Sequence, residues 1–272
     1  MKTRVLTAVI LLPLLLLIVL GTPKIITAIL FCVMASVGAW ELLSGTGYLR
    51  QKRLVVYSMI MAVLVSLNSY FVFDSIWICV GILLFWVLLF AEIMYSNMQL
   101  SFDNVFLCFA AGILVPYLLT ALVRIQVGEF GRWFMLIPFV LAFLSDTGAY
   151  FVGRAFGRHK LAPLISPKKT VEGVFGGVLG AVTGMVAYCA VLQIFFDFRV
   201  NYLYALIYGV IGSVAAVFGD LCFSVIKRQT GIKDYGKVFP GHGGILDRFD
   251  SMIVVAPLTE ILLAFLPLAV KV

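Results

Sequence analysis

Long apolar stretches alternate along this chain with short breaks that carry charge, glycine or proline. Nine of the stretches approach the roughly 17–25 residues that a helix needs to cross a bilayer. They run approximately over Val5–Leu20, Ile25–Leu43, Leu54–Phe73, Ile76–Phe90, Asn104–Val123, Trp133–Phe151, Val174–Phe196, Tyr202–Ile226 and Met252–Val270. The pattern predicts an all-α, polytopic integral membrane protein with about nine transmembrane helices. The first stretch follows Lys2 and Arg4 as a secretory signal would, but no small-residue cleavage pattern precedes Lys24, so it reads as a retained span.

Composition agrees with that reading. Of the 272 residues, 63% are hydrophobic and 12% charged, whereas water-soluble domains carry about 25% charged residues. The cysteines at 32, 79, 108, 189 and 222 lie inside apolar stretches without close spacing. They signal neither a disulfide framework nor a zinc site and read as small core residues. The net charge of +7 matters more for its placement than its size, and no nucleic-acid partner is expected. With a cytoplasmic amino terminus and nine alternating spans, the cytoplasmic side holds Lys2, Arg4, Arg50, Lys52, Arg53, Arg154, Arg158, Lys160, Lys168, Lys169, Lys227, Arg228, Lys233, Lys237 and Arg248. The other side holds only Lys24, Arg124, Arg132, Arg199 and Lys271. The positive-inside rule favours this orientation and an odd number of spans.

Residues 1–123 read as an N-terminal transmembrane scaffold, with Arg50–Arg53 as a topology anchor near anionic lipid. Polar chemistry concentrates in 124–272, a C-terminal catalytic region whose basic connections, 153–173 and 227–249, fall on the cytoplasmic side. Gly173, Gly176, Gly177, Gly180 and Gly184 form overlapping small-xxx-small patterns, the mark of close helix packing in lipid.

Ionisable groups inside spans cost roughly 2.5–3.5 kcal/mol on insertion scales. Asp146, Asp220 and Glu260 are such groups, and Glu260 has no motif around it. In GDLCFSVIKR, Asp220, Ser224 and Lys227 stand at i, i+4 and i+7, so a helix puts a carboxylate, a hydroxyl and an ammonium on one stripe. FPGHGGILDRFD, Phe239–Asp250, brings Gly241, Gly243 and Gly244, where a backbone can approach a ligand closely, next to Asp247 and Asp250. Magnesium is typically held by one or two carboxylates with substrate phosphates completing its shell. The same carboxylates also suit a helix amino terminus through the dipole. Lys233, Lys237 and Arg248 offer charge to phosphate oxygens, and His242 offers a donor on a glycine loop. In SDTGAYFVGRAFGRHKL and ISPKKTVEG, Asp146 and Tyr150 share a helix face. Arg154, Arg158, His159, Lys160, Lys168 and Lys169 form a cationic patch, and Ser166 or Thr170 caps the following helix.

Together these motifs resemble the phosphatidate cytidylyltransferase, or CDP-diacylglycerol synthase, family. Its carboxy-terminal signature is met by Ser224, Lys227, Arg228, Lys233, Asp234, Gly236, Pro240, His242, Gly243, Gly244, Asp247, Arg248 and Asp250 without departure. SDTGAYFVGR, SPKKTVEG and the opening TRVLTAVILLPL are also similar to family motifs. The resemblance is specific over about Ser145–Ser251. It implies a multi-pass enzyme of the inner (cytoplasmic) membrane, working at the cytoplasmic face, that joins CTP to phosphatidic acid and releases pyrophosphate. It also implies magnesium, with a second cation left open, and a homodimer. On that view Asp220 and Asp247, assisted by Asp250 or Asp146, hold the metal. Lys227, Arg228, Lys233, Lys237 and Arg248 neutralise the triphosphate; Ser224, His242, Gly243 and Gly244 complete the substrate contacts; and Arg154 with Ser166, Lys168, Lys169 and Thr170 receives the lipid phosphate. Two other readings stand beside it. A transporter expects polar residues spread through the membrane depth, whereas here they gather toward one side. A CTP-dependent polyprenol kinase would move only the gamma phosphate.

Overall fold

The computed structural model describes residues 13–47, 49, 51–96, 100–128, 131–239, 241 and 243–271. It is a polytopic, nearly all-helical membrane protein, as expected where water cannot satisfy backbone polar groups and each segment must bond to itself. Among the described residues, seven helices are long and apolar enough to span a bilayer: α1 (Lys24–Gly45), α2 (Lys52–Phe71), α3 (Ser75–Tyr95), α4 (Phe102–Val127), α5 (Gly131–Phe156), α6 (Val171–Phe196) and α7 (Tyr202–Gln229). Two short helices follow, α8 (Leu246–Phe249) and α9 (Met252–Phe265). Residues 5–12 of the first expected span lie outside the described residues, while 13–21 are helical.

The last expected span, Met252–Val270, is shorter as a helix. It stops at Phe265, where Leu266, preceding Pro267, leaves the helical region (φ −130°, ψ 75°). The chain continues as a strand, β4 (Ala269–Lys271), antiparallel to β3 (Phe198–Val200). A hairpin, β1 (Lys160–Ala162) with β2 (Ser166–Thr170), joins α5 to α6. Of the two expected caps, Thr170 is the one that serves: its hydroxyl accepts the Gly173 N–H at 3.1 Å, while Ser166 lies in β2.

The chain divides into two compact units. One contains α1–α4 and Lys227–Phe249; the other contains residues 128–226 and those from Asp250 onward. In the first, α1 packs along α2, and α4 approaches α2 so closely at Gly112 that a β-carbon there would meet the Ser58 carbonyl at 3.1 Å. α1 ends in a π-helical turn, Glu41–Gly45, and α4 carries another at Ala110–Leu114, just before Pro116, whose missing N–H breaks the regular ladder. Past Phe71, Val72 takes a left-handed conformation (φ 50°) and donates its N–H to the Asn68 carbonyl at 3.0 Å.

In the second unit, the glycine pattern of α6 faces α5. Gly176 and Gly180 lie against the backbone oxygens of Gly148 and Leu144, and Gly148 in turn against the Gly176 carbonyl, with no room for a β-carbon at any of the three. This is the close helix approach that small residues permit in lipid. All five cysteines are free thiols. Cys32, Cys108 and Cys189 are buried and Cys222 half-buried, but Cys79 is exposed, which corrects its reading as a core residue. It shares α3 with the exposed Ile76, Trp77, Val80 and Leu83, an outward apolar surface suited to lipid.

Candidate functional site

The glycine-rich stretch of the first unit is organised by two buried carboxylates. Asp247 lies in the first turn of α8 with a side chain only 1% exposed. Its Oδ1 accepts from the Lys227 ammonium at 3.0 Å, and its Oδ2 accepts the backbone N–H groups of Tyr235 at 2.7 Å and Gly244 at 2.9 Å. The Lys227 ammonium also stands 5.5 Å from the centre of the Tyr235 ring. One residue of the loop thereby fixes both of its ends and a cation from α7.

The second carboxylate belongs to Glu41, in the π turn that ends α1. It is fully buried, and its Oε1 and Oε2 accept the N–H groups of Ile245 at 3.0 Å and Leu246 at 2.9 Å. Gly236 and Gly244 press against this carboxylate so closely that neither position has space for a β-carbon. Gly243, at φ +88°, sits beside Asp247, and its carbonyl accepts the Phe239 N–H at 2.9 Å. The glycines are thus required by two protein carboxylates, and the Gly244 N–H is already bonded. Lys233, Lys237, Arg228 and Arg248 are exposed around this folded loop. His242 and Pro240 lie outside the described residues.

The second unit gathers a different set. Lys169, from β2, reaches the Asp220 Oδ2 of α7 at 2.6 Å and donates to the Val217 carbonyl at 3.3 Å. Ser224 donates its hydroxyl to the Asp220 Oδ1 at 3.1 Å, as the i, i+4 spacing on a continuous helix requires. Asp220 keeps 30% of its side-chain surface exposed. α7 packs its Gly219 against the backbone of Asp250 and Ser251, where a β-carbon would stand 2.9 Å from the Asp250 carbonyl, so Asp220 and Asp250 occupy neighbouring stretches of backbone. Arg154 is exposed and bonds the Tyr150 hydroxyl at 3.1 Å. Lys168 and Asp146 are also exposed. Glu172 anchors the start of the hairpin by accepting from the Arg158 N–H at 3.0 Å and pairing with the His159 ring at 2.6 Å.

The structure therefore brings together Lys169, Asp220 and Ser224 in one unit, and Lys227, Asp247 and the loop glycines in the other. Among the described residues, no three His, Cys, Asp or Glu side chains cluster as a metal site. Magnesium needs fewer protein ligands than that when phosphates complete its octahedron. Asp220, with exposed surface and Asp250 beside it in the backbone, would suit such an ion where the Lys169 ammonium now holds its Oδ2. Asp247 has one lone pair left on Oδ1 and almost no exposed surface.

Sequence reasoning passed over Glu41 because the first half was read as scaffold. The available signal was its position inside the expected span Ile25–Leu43, where an ionisable group is costly. Glu92 was passed over similarly; it is buried in α3 and accepts from Gln51 at 3.2 Å and Tyr57 at 3.1 Å.

Proteins similar to this chain carry a consistent name. Phosphatidate cytidylyltransferases of Staphylococcus epidermidis, Staphylococcus haemolyticus and Staphylococcus aureus are 47%, 46% and 45% identical to it over 133 residues. That alignment takes in 49% of this chain and 50% of each relative, so the chain spans about half the length of the curated relatives it matches. The profile of the Cytidylyltransferase family matches residues 2–266. By that match over nearly its whole length, this chain belongs to the Cytidylyltransferase family.

Proposed function

We propose that this protein transfers a cytidylyl group from CTP to phosphatidic acid, forming CDP-diacylglycerol and pyrophosphate. The observation that carries the reading is the family match over residues 2–266; the geometry supports it by presenting exposed cations beside anchored carboxylates. The phosphatidate oxygen is already anionic at neutral pH, so the reaction requires no strong base. It attacks the alpha phosphorus in line. The new P–O bond forms as the alpha–beta bridging bond breaks, and that electron pair leaves with pyrophosphate.

The chain's task is to bring two polyanions together and to stabilise the charge that develops on the leaving group. In this proposal Lys227, Arg228, Lys233, Lys237 and Arg248 neutralise the triphosphate, with Arg248 suited to two parallel hydrogen bonds. Arg154 and Lys168 receive the lipid phosphate with Ser166 and Thr170. Lys169 stands at the carboxylate of Asp220, where its charge serves the same end. Asp220 and Asp250 would hold magnesium, with Asp146 and Asp247 as further candidates; when bound, the ion supplies positive charge to the triphosphate oxygens. The proposal places these groups at the cytoplasmic face of the cell membrane and the working enzyme as a homodimer.

The test uses purified full-length protein in detergent with phosphatidic acid, magnesium and CTP labelled at either the alpha or the gamma phosphorus. Cytidylyl transfer puts alpha label into the lipid and releases gamma label as pyrophosphate. Gamma label in the lipid establishes a kinase instead, and absence of both products removes the assignment.

A further inference from the structure

We propose that Glu41 is a positioning residue for the reaction: from the π turn of α1 it accepts the Ile245 and Leu246 amides and so holds the described parts of the 233–248 stretch, which carries Lys233, Lys237 and Arg248. The inference rests on the cytidylyl-transfer reading for what the loop presents, but not for how the loop is held. More than two hundred residues separate Glu41 from its partners in sequence, yet both of its oxygens accept loop amides, from Ile245 and Leu246. The contact is tight from every side. Gly236 and Gly244 have no space for a β-carbon against the carboxylate, Gly45 has none against the Tyr235 carbonyl, and a β-carbon on Gly38 would meet Leu246 at 3.3 Å. Phe31, also on α1, makes an edge contact with Phe249 at 6.1 Å. A helix turn widened by one residue shifts the side chains that follow it, and such turns occur often at functional sites.

Burying a carboxylate is costly unless hydrogen bonds repay it, and a simple scaffold contact would be served by an apolar side chain at no such cost. What a carboxylate adds is two acceptors aimed at two consecutive N–H groups, which sets the path of the loop where Asp247, the next residue, binds Tyr235 and Lys227. Glu41 and Asp247 thus define the loop from opposite directions, one from the N-terminal helices and one from within.

Glu41→Gln keeps the volume but offers one acceptor where two are needed, leaving one buried N–H unpaired. The comparison variant is Glu92→Gln, which also alters a buried carboxylate of the same unit but one whose partners, Gln51, Tyr57 and Arg53, lie outside the loop. Limited trypsin digestion of the folded protein, followed by mass spectrometry at Lys233 and Lys237, reads the open fraction of the loop. Glu41→Gln is expected to raise cleavage there about tenfold, the factor corresponding to about 1.4 kcal/mol, while Glu92→Gln leaves it unchanged. In the transfer assay, Glu41→Gln is expected to raise KM for CTP about tenfold and to leave KM for phosphatidic acid unmoved. Wild-type cleavage in Glu41→Gln, or equal increases in both variants, overturns the inference. Loop opening with an unchanged KM for CTP overturns the role in the reaction. If the wild-type protein transfers no cytidylyl group, the functional reading falls, and the proteolytic contrast still decides whether Glu41 holds the loop.

Discussion

Two aspartates that look alike in sequence stand in opposite circumstances. Asp220 is partly exposed and shares its charge with a lysine and a hydroxyl, an arrangement that contributes only about 0–1 kcal/mol to folding. Asp247 is enclosed with Lys227, and removing one partner of such a buried pair costs about 3–5 kcal/mol. Asp220→Asn is therefore expected to leave the apparent Tm within about 3 °C of the wild type and to lower cytidylyl transfer by about a hundredfold or more. Lys227→Met is expected to lower the apparent Tm on the order of 10 °C as well as abolish transfer. Thermal unfolding in detergent beside the transfer assay separates the two; equal Tm losses would contradict this division of labour.

Among the elements, the spacing of Asp220 and Ser224 could be read directly, because helical geometry alone makes i and i+4 neighbours. The glycines of α6 were equally legible, since small residues at that spacing serve close packing in lipid. Lys169 meeting Asp220 was not, because the contact depends on how a hairpin folds back onto α7, and strands of three and five residues leave almost no periodic signal. Glu41 was hidden by distance along the chain, although the cost of a carboxylate within an apolar stretch announced it. Thr170 joins hairpin and helix through its cap, and losing such a cap costs about 1 kcal/mol. Thr170→Ala should lower the apparent Tm by about 2–4 °C, and Thr170→Ser should restore it; a Tm unmoved by alanine would show that the cap carries no weight.

For the whole molecule, the apolar periodicity foretold a polytopic helical protein. It placed α1 to α7 within a few residues of their observed limits, and it overextended the final span past the Leu266–Pro267 break. Packing groups Lys227–Phe249 with the N-terminal helices. Orientation belongs to this scale too, because it follows from the summed placement of charge. In a cysteine-free variant, a single cysteine replacing the exposed Lys237 is expected to resist a membrane-impermeant maleimide in intact cells and to react once the membrane is opened. Labelling in intact cells would reverse the proposed topology.

The turn at Val72 offers a practical opening. A β-branched side chain held where glycine is at ease is strained by about 1–3 kcal/mol, and α2 separates it by about 30 Å from Lys52 at its other end. Val72→Gly should release part of that strain, less the extra freedom glycine gives the unfolded chain, and lengthen the half-life of the purified protein in detergent without altering turnover. Specimens that outlast a long titration or a slow crystallisation would come from one exchange at a single exposed corner.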